Sequence, residues 1–316
     1  MQAVMFDRYG DESVLVLREI AEPMPERNEV QVRVAVASLN PVDFKLRGGL
    51  LRLIRRPRLP AITGKDFAGR VSAVGADVSR FAPGQRVFGS INPMPGHGSC
   101  AQTLVIGSDL LAHTPDSVSD DIAACLPVAA GSALQALTTI AQLRPGQSLL
   151  VSGASGAVGS AAVQIARAIG ARITGVCGSA NVDYVRSLGA DDVVDYKTRD
   201  WQDLDQVFDV IFDAAGVSSF GAMRRQLAPA GTYLNTSPGP AMFLASRWFA
   251  LLSRQRSVPF MLHTDAAQLQ ELARLAEQGV LRPRIAQTIA LAGVARAQRE
   301  MKDGKVQGKV CVRVGG

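Results

Sequence analysis

Three glycines near the middle of the chain have the spacing of a turn that holds phosphate groups. Gly153 and Gly156 lie between the apolar run Ser148–Val151 and the segment Val158–Ile169, which has a helical pattern and contains Gly159. Glycine lets the backbone approach a pyrophosphate, and the first turn of the following helix offers free N–H groups and a positive dipole end. The pattern predicts a dinucleotide-binding turn in which alanine replaces the first glycine of the usual fingerprint. Its predicted binding residues are Gly153, Ala154, Ser155, Gly156, Ala157, Val158 and Gly159.

The next strand pattern ends without the acid that usually binds the ribose of NAD. Such a site places Asp or Glu about 20 residues after the glycines, but here the chain reads Cys177-Gly178-Ser179-Ala180-Asn181. A carboxylate would repel the 2′-phosphate of NADP, whereas Ser179 and Asn181 can donate hydrogen bonds to it. We therefore predict NADPH as the cofactor. Tyr196 is either a further phosphate contact or an ordinary strand aromatic, and Cys177 is predicted to be a small packed residue beside the adenosine pocket.

No group of residues has the spacing of metal ligands. The four cysteines are dispersed without a C-x-x-C pair, and the three histidines show no ligand pattern. We expect no metal, no disulfide framework and a reducing, cytoplasmic setting. No run of about 18 apolar residues occurs, and no basic segment precedes an apolar one at the N-terminus, so neither a membrane span nor a secretory signal is predicted.

The patterns along the chain predict an α/β protein of two domains. Glu29–Val36 alternates polar and apolar residues, which predicts a half-buried strand in an antiparallel, barrel-like first domain. From Ser148 onward strands and helices alternate, which predicts a doubly wound parallel sheet. The first domain is predicted to comprise residues 1–118 and 262–316, and the inserted nucleotide-binding domain residues 119–261. Further predicted helices are Val182–Leu188, Gly221–Leu227, Asp265–Glu277 and Ser119–Gln142, the last with interruptions at Pro127 and Gly131. Predicted strands include Ile285–Ala290 and Lys309–Val314.

The excess of positive charge is concentrated in one stretch. The chain has 34 Lys and Arg against 28 Asp and Glu, a net charge of +6, and its 47% hydrophobic content excludes a disordered chain. The stretch contains no acid, and its cations are Arg47, Arg52, Arg55, Arg56 and Arg58. It lacks aromatic residues that would stack on single-stranded bases, so nucleic-acid binding is not favoured. Steering of an anionic small molecule and contact of the amphipathic segment Leu50–Arg56 with a membrane surface both remain open.

Five motifs occur together in an order that is typical of one enzyme family. They are Asn40-Pro41-Val42-Asp43-Phe44-Lys45, Gly64-Lys65-Asp66-Phe67-Ala68-Gly69-Arg70-Val71, Phe81-Ala82-Pro83-Gly84-Gln85-Arg86-Val87, Leu126-Pro127-Val128-Ala129-Ala130-Gly131 and Gly153–Gly159. With them the chain resembles the zinc-independent quinone oxidoreductase (ζ-crystallin-like) branch of the medium-chain dehydrogenase/reductases. Within that branch it most resembles chloroplast-envelope quinone oxidoreductase homologues and alkenal/enone reductases. The resemblance implies a GroES-like antiparallel β-barrel domain beside a Rossmann domain, and a homodimer.

The resemblance also implies a reaction. Zinc alcohol dehydrogenases of this family carry a cysteine ligand where this chain has Asn40, and Gly-His-Glu where it has Gly64-Lys65-Asp66. A reaction without metal is therefore implied, in which hydride passes from NADPH to a quinone or to the β-carbon of an enone. Lys45 is implied as the hydrogen-bond donor to the substrate oxygen. Asn40 and Asp43 either belong to the catalytic site or cap the turn that follows them.

Two serines complete the predicted site. Ser132 either touches the nicotinamide ribose or is a helix-internal serine, and Ser237 lies in the loop after the fifth strand of the parallel sheet, where ligands bind in such folds. The apolar stretch Ala241–Leu252 either roofs the site or forms a dimer contact. A function of a different class also remains open, in which the chain binds NADPH with low turnover and acts at a membrane surface or on RNA.

Overall fold

A computed structural model of the chain describes residues 1–49, 59–91, 97–237, 254–259 and 261–314. The chain forms two compact units, one of Met1–Val128 with Thr264–Gly316 and the other of Ala129–His263. The second unit is thus inserted into the first. The second unit begins after residue 128 and ends at residue 263. The sequence pattern predicted that it begins after residue 118 and ends at residue 261.

The helices and strands are numbered along the chain. The strands are β1 (Gln2–Phe6), β2 (Val16–Glu19), β3 (Glu29–Leu39), β4 (Ala61–Ile62), β5 (Asp66–Val74), β6 (Arg86–Ser90), β7 (Thr103–Gly107), β8 (Leu111–His113), β9 (Ser148–Ser152), β10 (Arg172–Cys177), β11 (Asp192–Asp195), β12 (Phe208–Asp213), β13 (Leu227–Asn235), β14 (Arg256–Pro259), β15 (Ile285–Ala290) and β16 (Lys309–Arg313). The helices are α1 (Pro41–Arg47), α2 (Asp120–Cys125), α3 (Pro127–Leu134), α4 (Ala157–Ile169), α5 (Val182–Ser187), α6 (Phe220–Met223), α7 (Ala266–Glu277) and α8 (Val294–Lys302).

The main sheet of the first unit is built around β3. Its strands lie in the order β15-β16-β3-β5-β6-β8, and β7 also pairs with β3; only β15 and β16 are parallel neighbours. One edge of β3 pairs with β5. The other edge pairs first with β7 and then with β16, whose Val310 lies opposite Leu39. A separate antiparallel sheet has the order β2-β1-β4.

Burial along β3 follows the predicted alternation and then departs from it. Val30, Val32 and Val34 are buried and Arg33 is exposed, as a half-buried strand requires. From residue 36 to residue 39 both faces are buried. The reason is that α2 covers this end of the sheet, where Cys125 Sγ lies 3.8 Å from Ser38 Oγ.

Helix α2 is attached to the sheet of the first unit by two ion pairs. Arg86 of β6 bonds to Asp120 at 2.6 Å, and Arg313 of β16 bonds to Asp121. These contacts explain why residues 119–128 belong to the first unit and not to the second, where the predicted helix Ser119–Gln142 placed them. The predicted interruption at Pro127 is confirmed, because α3 begins there. The predicted interruption at Gly131 is wrong, because α3 runs through this residue and continues as a π-helical turn over 135–140.

The second unit is a parallel sheet with the order β11-β10-β9-β12-β13-β14, in which every neighbouring pair is parallel. Counted within the unit, this order is 3-2-1-4-5-6, that of a doubly wound nucleotide-binding sheet. The predicted fold class, an antiparallel β domain together with a doubly wound parallel sheet, is confirmed. The predicted helix Gly221–Leu227 is wrong only at its last residue, because a 3-10 helix over Arg224–Gln226 follows α6 and the chain enters β13 at Leu227.

Candidate active site

β3 leads directly into the motif predicted to take part in the reaction. It ends at Leu39, after which Asn40 is the N-cap of α1 and Pro41 the first helical residue, a position that tolerates the missing N–H. The Asp43 carboxylate accepts a hydrogen bond from the Asn40 backbone amide, with 2.7 Å between N and Oδ2. Asp43 therefore caps this turn. Lys45 lies on the last turn of α1, and its side chain is exposed.

The Asn40 side chain does not cap the helix but lies in a buried group of charged residues. Its Nδ2 donates to Asp66 Oδ2 at 2.9 Å, and its Oδ1 accepts from Lys309 Nζ at 2.6 Å. Asp66 Oδ2 also accepts from the Val128 amide at 3.1 Å and lies 3.7 Å from Lys309 Nζ. Asn40, Asp66 and Lys309 are each at most 2% exposed. We call this group the polar centre; its members are Asn40, Asp43, Lys65, Asp66 and Lys309.

The charges of the polar centre alter one another's protonation. Burial, and next to it the Asp66 carboxylate, raises the pKa of Asp43 to about 7, although the bond from the Asn40 amide opposes this. Burial lowers the pKa of Lys65. Among the described residues, Oδ1 of Asp43 and Oδ1 of Asp66 have no hydrogen-bond partner. The polar centre can therefore gain or lose a proton near neutral pH.

Sequence reasoning missed Lys309. It lies 269 residues from Asn40 along the chain, and only the pairing of β16 with β3 brings the two together. The signal that could have found it is a lysine at the start of an otherwise apolar strand, since a buried ammonium must have a partner.

The glycine-rich turn lies between β9 and α4 in the second unit. Gly153 has a φ of +63°, and a Cβ on Gly159 would lie only 2.1 Å from the Gly153 carbonyl oxygen. The start of α4 therefore packs directly on the turn. Gly156 is exposed at the N-cap, and Ser160 N makes the first bond of the helix, to the Gly156 oxygen.

The other predicted residues of this turn follow from the same geometry. Ala157, Val158 and Gly159 supply amides that precede the first helical bond, so their N–H groups point out of the N-terminus of α4. Ala154 is buried and its amide donates to Val176 of β10, while Ser155 is half-buried. The turn fits a bound pyrophosphate, because the exposed residue of the N-cap has no side chain.

Four predicted adenosine-side residues lie at the ends of β10 and β11. Tyr196 is 55% exposed, and its hydroxyl oxygen would be 3.1 Å from a Cβ on Gly178. Ser179 is exposed and Asn181 half-buried just beyond β10. Cys177 is buried, which raises the pKa of its thiol. The sheet thus brings Ser179, Asn181 and Tyr196 to one edge.

The neighbouring strand supplies an acid at this edge, which the sequence reasoning did not consider. Asp195 lies opposite Cys177 in the register of β10 and β11. Hydrogen bonds from the Ser179 hydroxyl, the Lys197 amide and the Ser179 amide hold the pKa of Asp195 below its usual value. The Ser179 hydroxyl therefore donates to Asp195. An acid does lie at this edge of the sheet, but at the end of β11 and not of β10.

A third residue missed from the sequence, Asp213, organises the carboxyl edge of the sheet. This carboxylate at the end of β12 is fully buried. It accepts hydrogen bonds from the Ser152 hydroxyl, the Gly216 and Ser218 amides, the Tyr233 hydroxyl and the Asn235 amide group. Asn235 in turn accepts a bond of 2.6 Å from the amide of Ser237. Asp213 thus fixes the loop that carries Ser237, and an acid that ends a buried strand is the signal for it.

The remaining predicted features are Ser132, the arginine-rich stretch and the stretch Ala241–Leu252. Ser132 is buried within α3. Arg47 is 1% exposed and donates to Gly10 O and Gln298 Oε1, so the expectation of a basic surface stretch is wrong at this residue. The other four arginines of the stretch, the segment Leu50–Arg56 and the stretch Ala241–Leu252 lie outside the described residues.

The described residues show neither a group of metal ligands nor a helix that could span a membrane. Within them, no three His, Cys, Asp or Glu side chains are grouped so that they could hold a metal ion. No helix in this part of the chain is both long enough and apolar enough to cross a membrane.

Comparisons with known proteins agree with this architecture. Residues 26–116 match the alcohol dehydrogenase GroES-like domain, and residues 188–312 match the zinc-binding dehydrogenase domain. The chain is 33% identical over 323 residues to the chloroplast envelope quinone oxidoreductase homologue of Arabidopsis thaliana, which covers 99% of this chain and 98% of that protein. The chain belongs to the quinone oxidoreductase branch of the medium-chain dehydrogenase/reductase family. The predicted resemblance is thereby confirmed.

Two further relatives place the chain within this family. A 2-methylene-furan-3-one reductase of Solanum lycopersicum is 34% identical over 224 residues, which cover 68% of this chain and 57% of that protein. The solved quinone oxidoreductase from Coxiella burnetii superposes with a TM-score of 0.90 at 26% identity, covering 100% of this chain and 99% of that one. As a member of the medium-chain dehydrogenase/reductases, the protein is an NAD(P)H-dependent oxidoreductase.

One matched domain description names zinc, and the polar centre does not fit that ion. A catalytic zinc site needs three N, S or O ligands and an open position. Here the Lys309 ammonium bonds to the Asn40 oxygen and lies 3.7 Å from Asp66, and the neighbouring Lys65 adds a second cationic group. A divalent cation at this place would meet two ammonium groups at close range.

Proposed function

We propose that this protein reduces quinones or α,β-unsaturated carbonyl compounds with NADPH and without a metal ion. The observation that carries the proposal is the buried Lys309 ammonium, which donates to the Asn40 side chain at 2.6 Å. Without a metal ion to polarise an alcohol, the acceptor carbon must already be electrophilic. A quinone carbon and the β-carbon of an enone meet this requirement. The names quinone oxidoreductase and 2-methylene-furan-3-one reductase, printed for two relatives, support these substrate classes.

The second unit would bind the cofactor, which supplies the hydride. The glycine-rich turn and the first amides of α4 would hold the pyrophosphate. Asn181, Tyr196 and Lys197 would contact the 2′-phosphate, and the Lys197 ammonium would offset the negative charge of the Asp195 carboxylate at the same edge. Ser132 and Ser237 would contact the nicotinamide half.

In the first unit, Lys45 would donate a hydrogen bond to the substrate oxygen, on which negative charge builds during hydride transfer. Lys45 is an exposed residue, whereas Asn40 is buried. Both ends of the Asn40 amide are bonded to Asp66 and Lys309, and Asp43 caps α1. We therefore assign Asn40 and Asp43 a positioning role, that of holding the helix that carries Lys45.

The proposal is tested by following NADPH and NADH oxidation by the purified full chain. The acceptors are 1,4-quinones, alkenals and longer enones. We expect turnover with at least one of these classes and a clear preference for NADPH. A preference for NADH of about tenfold, worth about 1.4 kcal/mol, would overturn the cofactor assignment. Absence of oxidation with every acceptor would overturn the reductase proposal.

We also propose that the protein is a cytoplasmic homodimer. All four cysteines are free and buried, as a reducing compartment permits, and the dimer follows from the family resemblance. Light scattering on the purified chain, whose mass is 33.4 kDa, distinguishes a dimer from the monomer that would contradict this.

A further inference from the structure

Two cysteines that play no part in the proposed reaction lie against each other in the first unit. Cys125 is the last residue of α2 and Cys311 the third residue of β16, 186 residues apart in the chain. Their sulfur atoms are 3.5 Å apart, and both residues are at most 1% exposed. Ser38 lies opposite Cys311 in the sheet and 3.8 Å from the Cys125 sulfur. The pair is thus held by a helix and two strands.

We propose that Cys125 and Cys311 are a peroxide-sensitive dithiol that closes to an intramolecular disulfide. Among the chain's four cysteines, Cys100 and Cys177 have no sulfur partner in the structure, whereas these two meet across the interface of α2 and the sheet. Their burial excludes bulky thiol reagents and admits only a small oxidant. Hydrogen peroxide is of that size.

The surroundings of the pair favour Cys125 as the attacking sulfur. The hydrogen bond with Cys311 lowers the pKa of Cys125; the Lys309 ammonium and the Ser38 hydroxyl act in the same direction, and burial opposes them. The hydrogen bond with Cys125, and next to it burial, raises the pKa of Cys311. By contrast, burial raises the pKa of Cys100. The thiolate is the nucleophilic form of cysteine, so reaction begins at Cys125.

The chemistry balances with peroxide alone. The Cys125 thiolate attacks one peroxide oxygen, the O–O bond breaks, and the departing hydroxide takes up a proton to leave as water. The resulting sulfenic acid is attacked by the Cys311 sulfur, which loses its proton as the S–S bond forms and a second water leaves. Two thiols are oxidised, and one peroxide is reduced to two waters.

Closure would act on the polar centre, a consequence that rests on the proposed function. A disulfide bond is about 2.05 Å long, so the end of α2 and β16 must approach each other. α2 is followed by Val128, which donates to Asp66, and β16 begins with Lys309, which donates to Asn40. Both donors would shift, and a displacement of about 1 Å in a catalytic arrangement can cost on the order of a hundredfold in rate.

The test uses the full chain, reduced, freed of reductant and then treated with hydrogen peroxide. After denaturation and alkylation, we expect two alkylated thiols in place of four and a linked peptide pair that contains Cys125 and Cys311. Once the mass of the alkyl groups is subtracted, the intact chain should be lighter by two hydrogens than the reduced chain. Dithiothreitol should restore all four thiols. Cys100→Ala should behave like the unsubstituted chain, and Cys125→Ser and Cys311→Ser should each form no linked pair.

Two results would overturn the dithiol. One is four alkylated thiols after peroxide treatment that oxidises free cysteine, and the other is a linkage between different residues. The mass measurement needs no turnover, so it decides the disulfide even where the proposed function fails. Where turnover is present, we expect it to fall by roughly tenfold or more on oxidation and to return with dithiothreitol. Cys125→Ser should be insensitive to the same treatment.

Discussion

At the residue scale, Lys45 gives the most direct catalytic prediction. If its ammonium stabilises charge on the substrate oxygen, Lys45→Ala removes about 2.7–4 kcal/mol of stabilisation and lowers kcat by about a hundredfold or more. Steady-state NADPH oxidation measures this. Lys302→Ala is the matched control, since Lys302 is an exposed lysine at the end of a helix in the same unit. Equal turnover of both variants would remove Lys45 as the donor.

Asp43 gives a prediction about pH and stability. Its pKa is about 7 in the folded chain against a usual 3.8, so the folded state binds more protons between these values and loses stability as the pH rises through them. Asp43→Asn keeps an acceptor for the Asn40 amide but cannot ionise. The substituted chain should therefore gain stability relative to the unsubstituted chain from about pH 4 to about pH 7, and the difference should be constant above that range. Denaturant unfolding over this range measures it, and parallel curves would contradict it.

Lys309 and Asp66 are predicted to depend on each other for charge compensation. Lys309→Met leaves the buried Asp66 carboxylate without its cation, which typically costs about 3–5 kcal/mol of unfolding free energy. Adding Asp66→Asn removes that unpaired charge while keeping an acceptor for Asn40 and Val128. We expect the double variant to be more stable than Lys309→Met alone. Additive losses in a double-mutant cycle by denaturant unfolding would contradict the coupling.

At the scale of elements, two glycines of the turn between β9 and α4 are predicted to affect different properties, Gly159 the stability of the fold and Gly156 the binding of the cofactor. A Cβ on Gly159 would lie 2.1 Å from the Gly153 oxygen, so Gly159→Ala should cost about 1–3 kcal/mol of stability. A Cβ on Gly156 would lie 3.3 Å from the same atom at an exposed N-cap. Gly156→Ala should therefore keep the melting temperature and weaken NADPH binding about tenfold or more, or about 1.4 kcal/mol. Thermal unfolding and cofactor titration measure the two effects, and loss of stability in Gly156→Ala would contradict this division.

Elements with a clear local pattern could be predicted from the sequence. Helices α4 and α7 each begin within one residue of their predicted start. Asp265 caps α7, because its carboxylate accepts from Gln268 N at 2.8 Å. Strand β14 was missed because Arg256–Pro259 has no alternating apolar pattern and is a strand only through its pairing with β13. Local periodicity therefore predicts whether a segment forms an element and whether that element is a helix or a strand. A strand without such a pattern is recognised only from its pairing in the sheet.

At the scale of the whole molecule, the polar centre shows why part of the site could not be predicted. Asn40 and Asp66 stood out as motif residues, but Lys309 enters only because the chain returns to the first unit after the insertion and pairs β16 with β3. Asp195 likewise reaches the predicted phosphate edge through the pairing of β10 and β11. In both cases the decisive contact joins distant segments, which motif spacing does not encode.

The central claim, reduction without a metal ion, is tested most directly by turnover after metal removal. The full chain is treated with a strong chelator, its zinc content is measured, and NADPH oxidation is followed with a quinone and an enone. We expect turnover to equal that of the untreated chain, because the cation that contacts Asn40 and Asp66 is the Lys309 ammonium. Loss of turnover that added Zn²⁺ restores would contradict the claim.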